Sequence, residues 1–427
     1  MPTSLHWLRL RDWWDRAFWV IPLVGIVAGW LLDSLSVTID EWVFSQDQFR
    51  GFISPSASVT LLAAIGGGMI TFTGFVFSVV LLMLQYGSSE YSPRTASYFM
   101  RTRTTQRVLA VFLATIVFCF SSILEVGSQG RTDFTPIGSV VIAVLLLLAS
   151  LVGFLALLNV VGNRIRVDAV LTDLGRRARE GMAARFANAQ ASSSTSLDQI
   201  PGVAKDAQIV RFSGRPGQVV AVDSRRLTRV ARRSGSRIIL MMRTGDAVSE
   251  GSHLAMVAGQ KPPSSRQLSR CLLVHDERSL RLDPLYALRI LTDVALRALS
   301  PGINDPTTAV RSLDEVEGVL RAAAPLTLGP VEIKAGAGSL VLPSPTWTDI
   351  VDLALLEVVI EGVKQPQVTR RLTALLNELL TDLPESRHRP LLRFKRRLAE
   401  QVDAYAGSSE YRSIYLTADR QGIGGSR

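Results

Sequence analysis

Over the first 162 residues, long uncharged apolar stretches alternate with short arginine-bearing ones, and beyond them the pattern changes to amphipathic and β-branched segments. A helix rising 1.5 Å per residue needs roughly 20 apolar residues to cross about 30 Å of hydrocarbon. Four stretches meet or approach that length: residues 17–32, a helix inside the uncharged interval 51–89, residues 108–124, and residues 135–158. The first is short, and Trp13, Trp14, Trp19 and Trp30 around it suit anchoring at the membrane interface. Within the second, Thr60, Ala64, Gly67, Thr71, Gly74, Ser78, Leu81 and Gln85 follow alternating steps of four and three residues. That spacing sets them on one stripe of a helix. All but Leu81 are small or polar, in a helix that is otherwise large and apolar.

Two readings of the stripe stand side by side, and both rest on Gly67, Thr71, Gly74, Ser78 and Gln85. In one, small residues let helices approach closely, with hydroxyls bonding across helices or to their own carbonyls. In the other, copies of the helix surround a water-filled path. The stripe carries no charge, so it does not choose between cations and anions. Four spans make a poor pore alone, so a path requires a homo-oligomer.

Past the spans, residues 163–200 read as a charged juxtamembrane helix followed by the linker ASSSTS at 191–196. Residues 201–262 carry short β-branched runs between turn residues. Two pieces stand out there: SGRPGQVVAVD from Ser213 and RTGDAVSEGSHLAMV from Arg243. The second resembles the G-D-x-V-x-x-G-x-x-L turn of biotinyl and lipoyl-type barrel domains, which predicts a small β-barrel-like subdomain. No lysine lies between Lys205 and Lys261, so a swinging cofactor arm is excluded.

Residues 263–427 read as mainly helical. Asp283-Pro284 and Asp305-Pro306 each supply an N-cap and a first helical residue, and Ser300-Pro301-Gly302 ends the helix between them. Leu288, Leu291, Ala295 and Ala298 form its buried face. VEIKAG and SLVLP read as strands, AGAGS at 335–339 as the hairpin loop joining them, and 347–363, 367–383 and 389–406 as helices. The fold class is therefore membrane α-helical, with four transmembrane helices, and a C-terminal α+β cytoplasmic region.

Charge adds an orientation. The net charge of +10 comes from 42 arginines and five lysines against 37 acids. Arg9, Arg11 and Arg16 precede the first span, Arg94, Arg101, Arg103 and Arg107 lie between the second and third, and Arg164, Arg166, Arg176 and Arg177 follow the fourth. The two other loops carry Arg50 and Arg131 against Asp40, Glu41, Asp47, Glu125 and Asp133. Arginine retained on the cytoplasmic side places both termini there, in a multi-pass bacterial inner (plasma) membrane protein. Residues 1–16 are polar and no cleavage pattern follows, so a cleaved signal peptide is not expected. Arg225, Arg226, Arg229, Arg232 and Arg233 cluster in the β region. Without a recognition motif or interleaved aromatics they suit anionic lipid headgroups, and no nucleic-acid partner is expected.

Catalytic patterns are missing from the sequence: it has no G-x-x-x-x-G-K-[ST], H-E-x-x-H, C-x-x-C or G-x-S-x-G. The four histidines, His6, His253, His275 and His388, are scattered, and the neighbours His275-Asp276-Glu277 cannot converge readily on one metal. Cys119 and Cys271 make neither a disulfide framework nor a metal cluster. No enzyme activity, cofactor or metal is expected. Asn304, Asp305, Thr307 and Thr308 gather polar atoms at a helix start, which favours an anion, although Asp305 already occupies the positive end. With Asp283 at the preceding cap, they are read as a structural or subunit-contact corner, with a ligand corner as the alternative.

The tract RSLRLDPLYALRILTDVALRALSPGINDPTTAV at 278–310 resembles one known family, as do LQYGSSEYSPR at 84–94 and DRQGIG at 419–424. It is the family of bacterial predicted membrane proteins catalogued as domain of unknown function 2254. The resemblance covers nearly the whole chain and implies its four-span layout without supplying a chemistry. The expected function is a homo-oligomeric channel-like or transport protein with the second span lining the path. The alternative is a non-conducting membrane scaffold or sensor whose cytoplasmic part binds a protein or small ligand.

Overall fold

The computed structural model describes residues 17, 19–43, 54–90, 103–128, 137–186, 207–259, 261–406 and 409–421. Trp13, Trp14, the arginines at 9, 11, 16, 50, 94, 101 and 131, the linker at 191–196 and the end of DRQGIG lie outside them. The described chain forms two compact units that divide between Arg166 and Val167.

The first unit is a bundle of α1 (Val20–Val43), α2 (Pro55–Glu90), α3 (Arg103–Ser128) and α4 (Ile137–Ile165). Here α3 packs against each of the other three helices. Leu62, Ile65, Met69 and Val76 of α2 meet Phe112, Phe118 and Cys119 of α3, and Ala143 and Leu157 of α4, in one buried cluster. Partly buried Phe72 packs against this cluster, with ring centroids 5.4 Å from Phe112 and 4.9 Å from Phe154. The stretches Ser56–Leu82, Arg103–Glu125 and Ile137–Val160 are long and apolar enough to cross a membrane, whereas the apolar stretch of α1, Val20–Ser36, is shorter. Of the four expected spans, three thus have full spanning length. The first expected span is the shorter one, and its apolar stretch runs past Asp33 to Ser36 in a helix that continues to Val43.

Backbone approach explains how α1 is held. A Cβ on Gly25 would lie 2.7 Å from the Cα of Ala110, and one on Gly29 would lie 2.5 Å from the carbonyl oxygen of Ala114. Gly25 and Gly29 of α1 therefore press directly on Ala110 and Ala114 of α3. This is close packing of small residues spaced by four.

The second unit begins with α5 (Val167–Phe186), and its strands form two sheets. One has the order β1 (Gln208–Arg211), β5 (His253–Ala258), β3 (Arg237–Leu240), β8 (Gly338–Leu342) and β7 (Val331–Ala335). The other has the order β4 (Ala247–Val248), β2 (Gly217–Val222) and β6 (Leu272–His275). All pairs are antiparallel except β3 with β8, which runs Arg237 opposite Ser339. The sheets do not close, so the barrel-like expectation gives way to two open sheets. The β region also recruits β6, β7 and β8 from beyond residue 262. The barrel-type turn itself is present, with Gly245 at φ +95° and Gly251 at φ +84°.

On these sheets lies α6 (Ser224–Ser234), which sends Leu227 and Ala231 into a core with Val219, Ile238, Leu254 and Leu340. A short helix, α7 (Ser265–Ser269), precedes β6. The helical part consists of α8 (Pro284–Ala298), α9 (Pro306–Ala323), α10 (Trp347–Gly362), α11 (Pro366–Asp382), α12 (His388–Ala406) and α13 (Ser409–Leu416). Asp283 and Asp305 are the N-caps of α8 and α9. The turn at Gly336, φ +62°, joins β7 to β8 as a hairpin.

Between α9 and α11 an ion-pair network adds to the apolar packing. Arg371, its side chain 5% exposed, donates to Asp314 at 2.8 Å and to Glu317 at 2.6 Å. Arg321 reaches Glu317 and Asp382, each at 2.7 Å. Burial acts to raise the Glu317 carboxyl, but the two guanidiniums win and hold it below its usual 4.5.

Candidate functional site in the membrane bundle

Every member of the small-residue stripe, from Thr60 to Gln85, is exposed on the surface of the single chain. A Cβ added at Gly67, Gly68 or Gly74 would meet nothing within 4 Å, whereas one at Gly66, on the other side of α2, would lie 3.2 Å from the Cβ of Cys119. The helix therefore packs into its own bundle through Leu62, Ile65, Gly66, Met69 and Val76, and turns the stripe away. Its hydroxyls bond along the helix. Thr60 donates to the Ser56 carbonyl at 2.8 Å, Thr71 to Gly67 at 3.4 Å, and Ser78 to Gly74 at 3.0 Å. Such bonds satisfy the hydroxyl hydrogens and leave oxygen lone pairs directed outward.

Hydroxyls inside the bundle behave differently. Thr115 of α3 and Ser150 of α4 face each other at 3.1 Å, and Ser36 of α1 and Ser139 of α4 at 3.0 Å. Ser122 of α3 donates to the carboxylate of Asp33, which is 2% exposed. A buried carboxyl group is costly unless it is hydrogen-bonded, and α3 supplies that partner. This is why α1 continues through Asp33 to Val43. The sequence carried two signals for this arrangement that its pattern of spans did not use: G-x-x-x-G at Gly25–Gly29, and serines on three segments near their ends.

The polar residues around α8 fall into two places. Asp283 is buried at the start of α8 and accepts from Arg278 Nε at 2.9 Å and Nη2 at 2.5 Å. Burial pushes its carboxyl up, against the pull of Arg278. Asn304 and Asp305 follow the far end of α8, about 21 Å away at 1.5 Å per residue. Asn304, at φ +50°, accepts from the Gln365 side chain at 2.7 Å. Asp305 accepts from the Thr308 backbone at 3.1 Å and its hydroxyl at 2.5 Å, and Thr307 is exposed. Asp283 thus does not share a corner with Asn304, Asp305, Thr307 and Thr308. Asp305 spends both carboxylate oxygens on α9 itself, so Asp305→Ala should cost about 1 kcal/mol in thermal unfolding, the usual value of a lost cap. Among the described residues no three His, Cys, Asp or Glu side chains gather as metal ligands.

A bundle with three apolar helices long enough to cross a membrane, followed by a separate α/β unit, has the make-up of a membrane protein. The chain belongs to the family described as Predicted membrane protein (DUF2254), whose model matches residues 15–378. Similar chains include the uncharacterized proteins Mb1321c of Mycobacterium bovis and Rv1290c of Mycobacterium tuberculosis. Each is 28% identical over 384 residues, covering 87% of this chain and 72% of the relative. No solved structure matches the chain.

Proposed function

We propose that the protein is a multi-pass inner-membrane protein that assembles with copies of itself into a channel-like or transport unit, with α2 lining the path. The observation that carries this reading is the outward stripe. Glycines and hydroxyls offer lipid little, and among the described residues Gly67 and Gly74 meet nothing that would need them small. A neighbouring copy or water would suit it. In this reading α1 crosses as a fourth span with Asp33 folded inside, both termini are cytoplasmic as the arginine bias directs, and the α/β unit governs assembly or opening. The arginines of α6 face anionic headgroups.

A non-conducting scaffold, with the stripe as a tight seam between copies, is the competing reading. Ion flux in proteoliposomes separates them when wild type, Gly74→Leu and Ser78→Leu are compared alongside their oligomeric masses. The channel reading expects unchanged mass and abolished flux in both variants. Dissociation of the oligomer would make the stripe a seam, and a wild type silent to several ions at both polarities would sink the path.

A further inference from the structure

We propose that the α/β unit carries a binding site for a phosphate-bearing anion, in the cleft between the β1–β2 turn and α7. The cleft encloses about 550 Å³, within the range of small-ligand sites. Arg215 from the turn, Arg266 from α7 and Arg270 just after it all line the cleft, with Asp276 as the single acidic lining residue. None of the three guanidiniums pairs with a carboxylate among the described residues. Elsewhere in the unit arginines are commonly paired, as Arg289 is with Glu357, Arg321 with Asp382 and Arg371 with Glu317. Next to the cleft, Arg226 of α6 reaches the Arg270 carbonyl at 3.5 Å, and Arg225, Arg229, Arg232 and Arg233 on the same helix, none of them ion-paired among the described residues, add positive charge. A concave surface with an excess of positive charge, three guanidiniums against one carboxylate, focuses its field on a small anion, and guanidiniums match phosphate oxygens in pairs of hydrogen bonds.

The walls are held in place without a ligand, so little ordering is needed on binding. Ser213 donates its backbone N–H to Ser269 Oγ at 3.0 Å, and Ser265 donates its hydroxyl to the Arg211 carbonyl. Ser264 and Gln267 close a capping box over the start of α7. A Cβ on Gly214 would lie 2.8 Å from the Phe212 ring, so the turn can follow the ring closely only with glycine there. The segment SGRPG thus acts as a stiff bracket that presents Arg215.

The phosphate can come from a lipid headgroup or from a soluble metabolite, and the test has an arm for each. Full-length protein in nanodiscs of phosphatidylcholine is titrated with inorganic pyrophosphate, and hydrogen–deuterium exchange is followed across 212–216 and 265–276. A second set of discs contains phosphatidic acid and no added soluble anion. Protection of both segments by pyrophosphate identifies a soluble source, and protection in the acidic discs identifies a headgroup. In either arm Arg266→Ala/Arg270→Ala should weaken the effect about tenfold or more, the worth of a lost charge-assisted contact. Arg389→Ala/Arg397→Ala removes equal charge on α12, outside the cleft lining, and should leave the protection in place. Among the described residues these side chains make no ion pair, so unchanged melting is expected of both variants. No protection in either arm overturns the proposal. So does an equal loss in both double variants, or a short single-stranded RNA that binds tightly whether or not Arg266 and Arg270 are present.

Discussion

Gly29→Leu is expected to unfasten the membrane bundle while leaving the α/β unit folded. The new side chain would have to occupy the space of the Ala114 carbonyl, so α1 must move off α3 and take Asp33 away from Ser122. Overpacking against backbone costs about 3 kcal/mol, which corresponds to roughly a hundredfold rise in the open population. The protein's own cysteines report it. Cys119 is buried in the bundle and Cys271 in the α/β unit, one thiol to each. Maleimide labelling of Cys119 should accelerate in Gly29→Leu, with Cys271 staying slow. Gly67→Leu, on the outward stripe, should leave both slow. Equal labelling of Cys119 in the two variants would contradict the packing described for α1 and α2.

That contrast marks where sequence reading succeeded and where it stopped. The uncharged runs and the Asp-Pro caps are local, and they located α2, α3, α4, α8 and α9 closely. A stripe of small residues, by contrast, looks the same whether it packs or faces outward. Only the positions of Gly25 and Gly29 against Ala110 and Ala114 show which set is consumed inside the chain. Asp33 read as the end of a span because its partner, Ser122, lies on another segment. The barrel expectation failed for a similar reason. The turn from Arg243 to Ser252 forms locally, but closure depends on which strands pair. The strand beside β3 proves to be β8, far along the chain.

The second large effect is expected for Arg371→Ala. It strands Glu317, whose side chain is 10% exposed, beside Asp314 with only Arg321 left to compensate. Breaking one partner out of a buried pair costs about 3–5 kcal/mol, or a melting temperature lower by roughly 10 °C for a unit of this size. The pH dependence carries the sign. In the wild type the Glu317 carboxyl is held low, so its contribution is complete above about 4.5 and is lost as pH falls through the depressed value. In the variant burial dominates and protonation relieves the strain. The stability gap should therefore be widest near neutrality and narrow on acidification into the carboxylate range. A gap independent of pH would mean that Glu317 is not the group left uncompensated.

The parallel pairing of β3 with β8 also constrains how the protein is made. Synthesis delivers β3 well before β8, and α7, β6, α8 and α9 emerge between them. Until Leu342 has left the ribosome, one side of β3 presents unpaired backbone groups, the kind of edge on which nascent chains stick together. The bundle helices precede this sheet in the chain and can enter the bilayer before it is complete. Each growing molecule can therefore be anchored in the membrane while its last inner strand is still awaited.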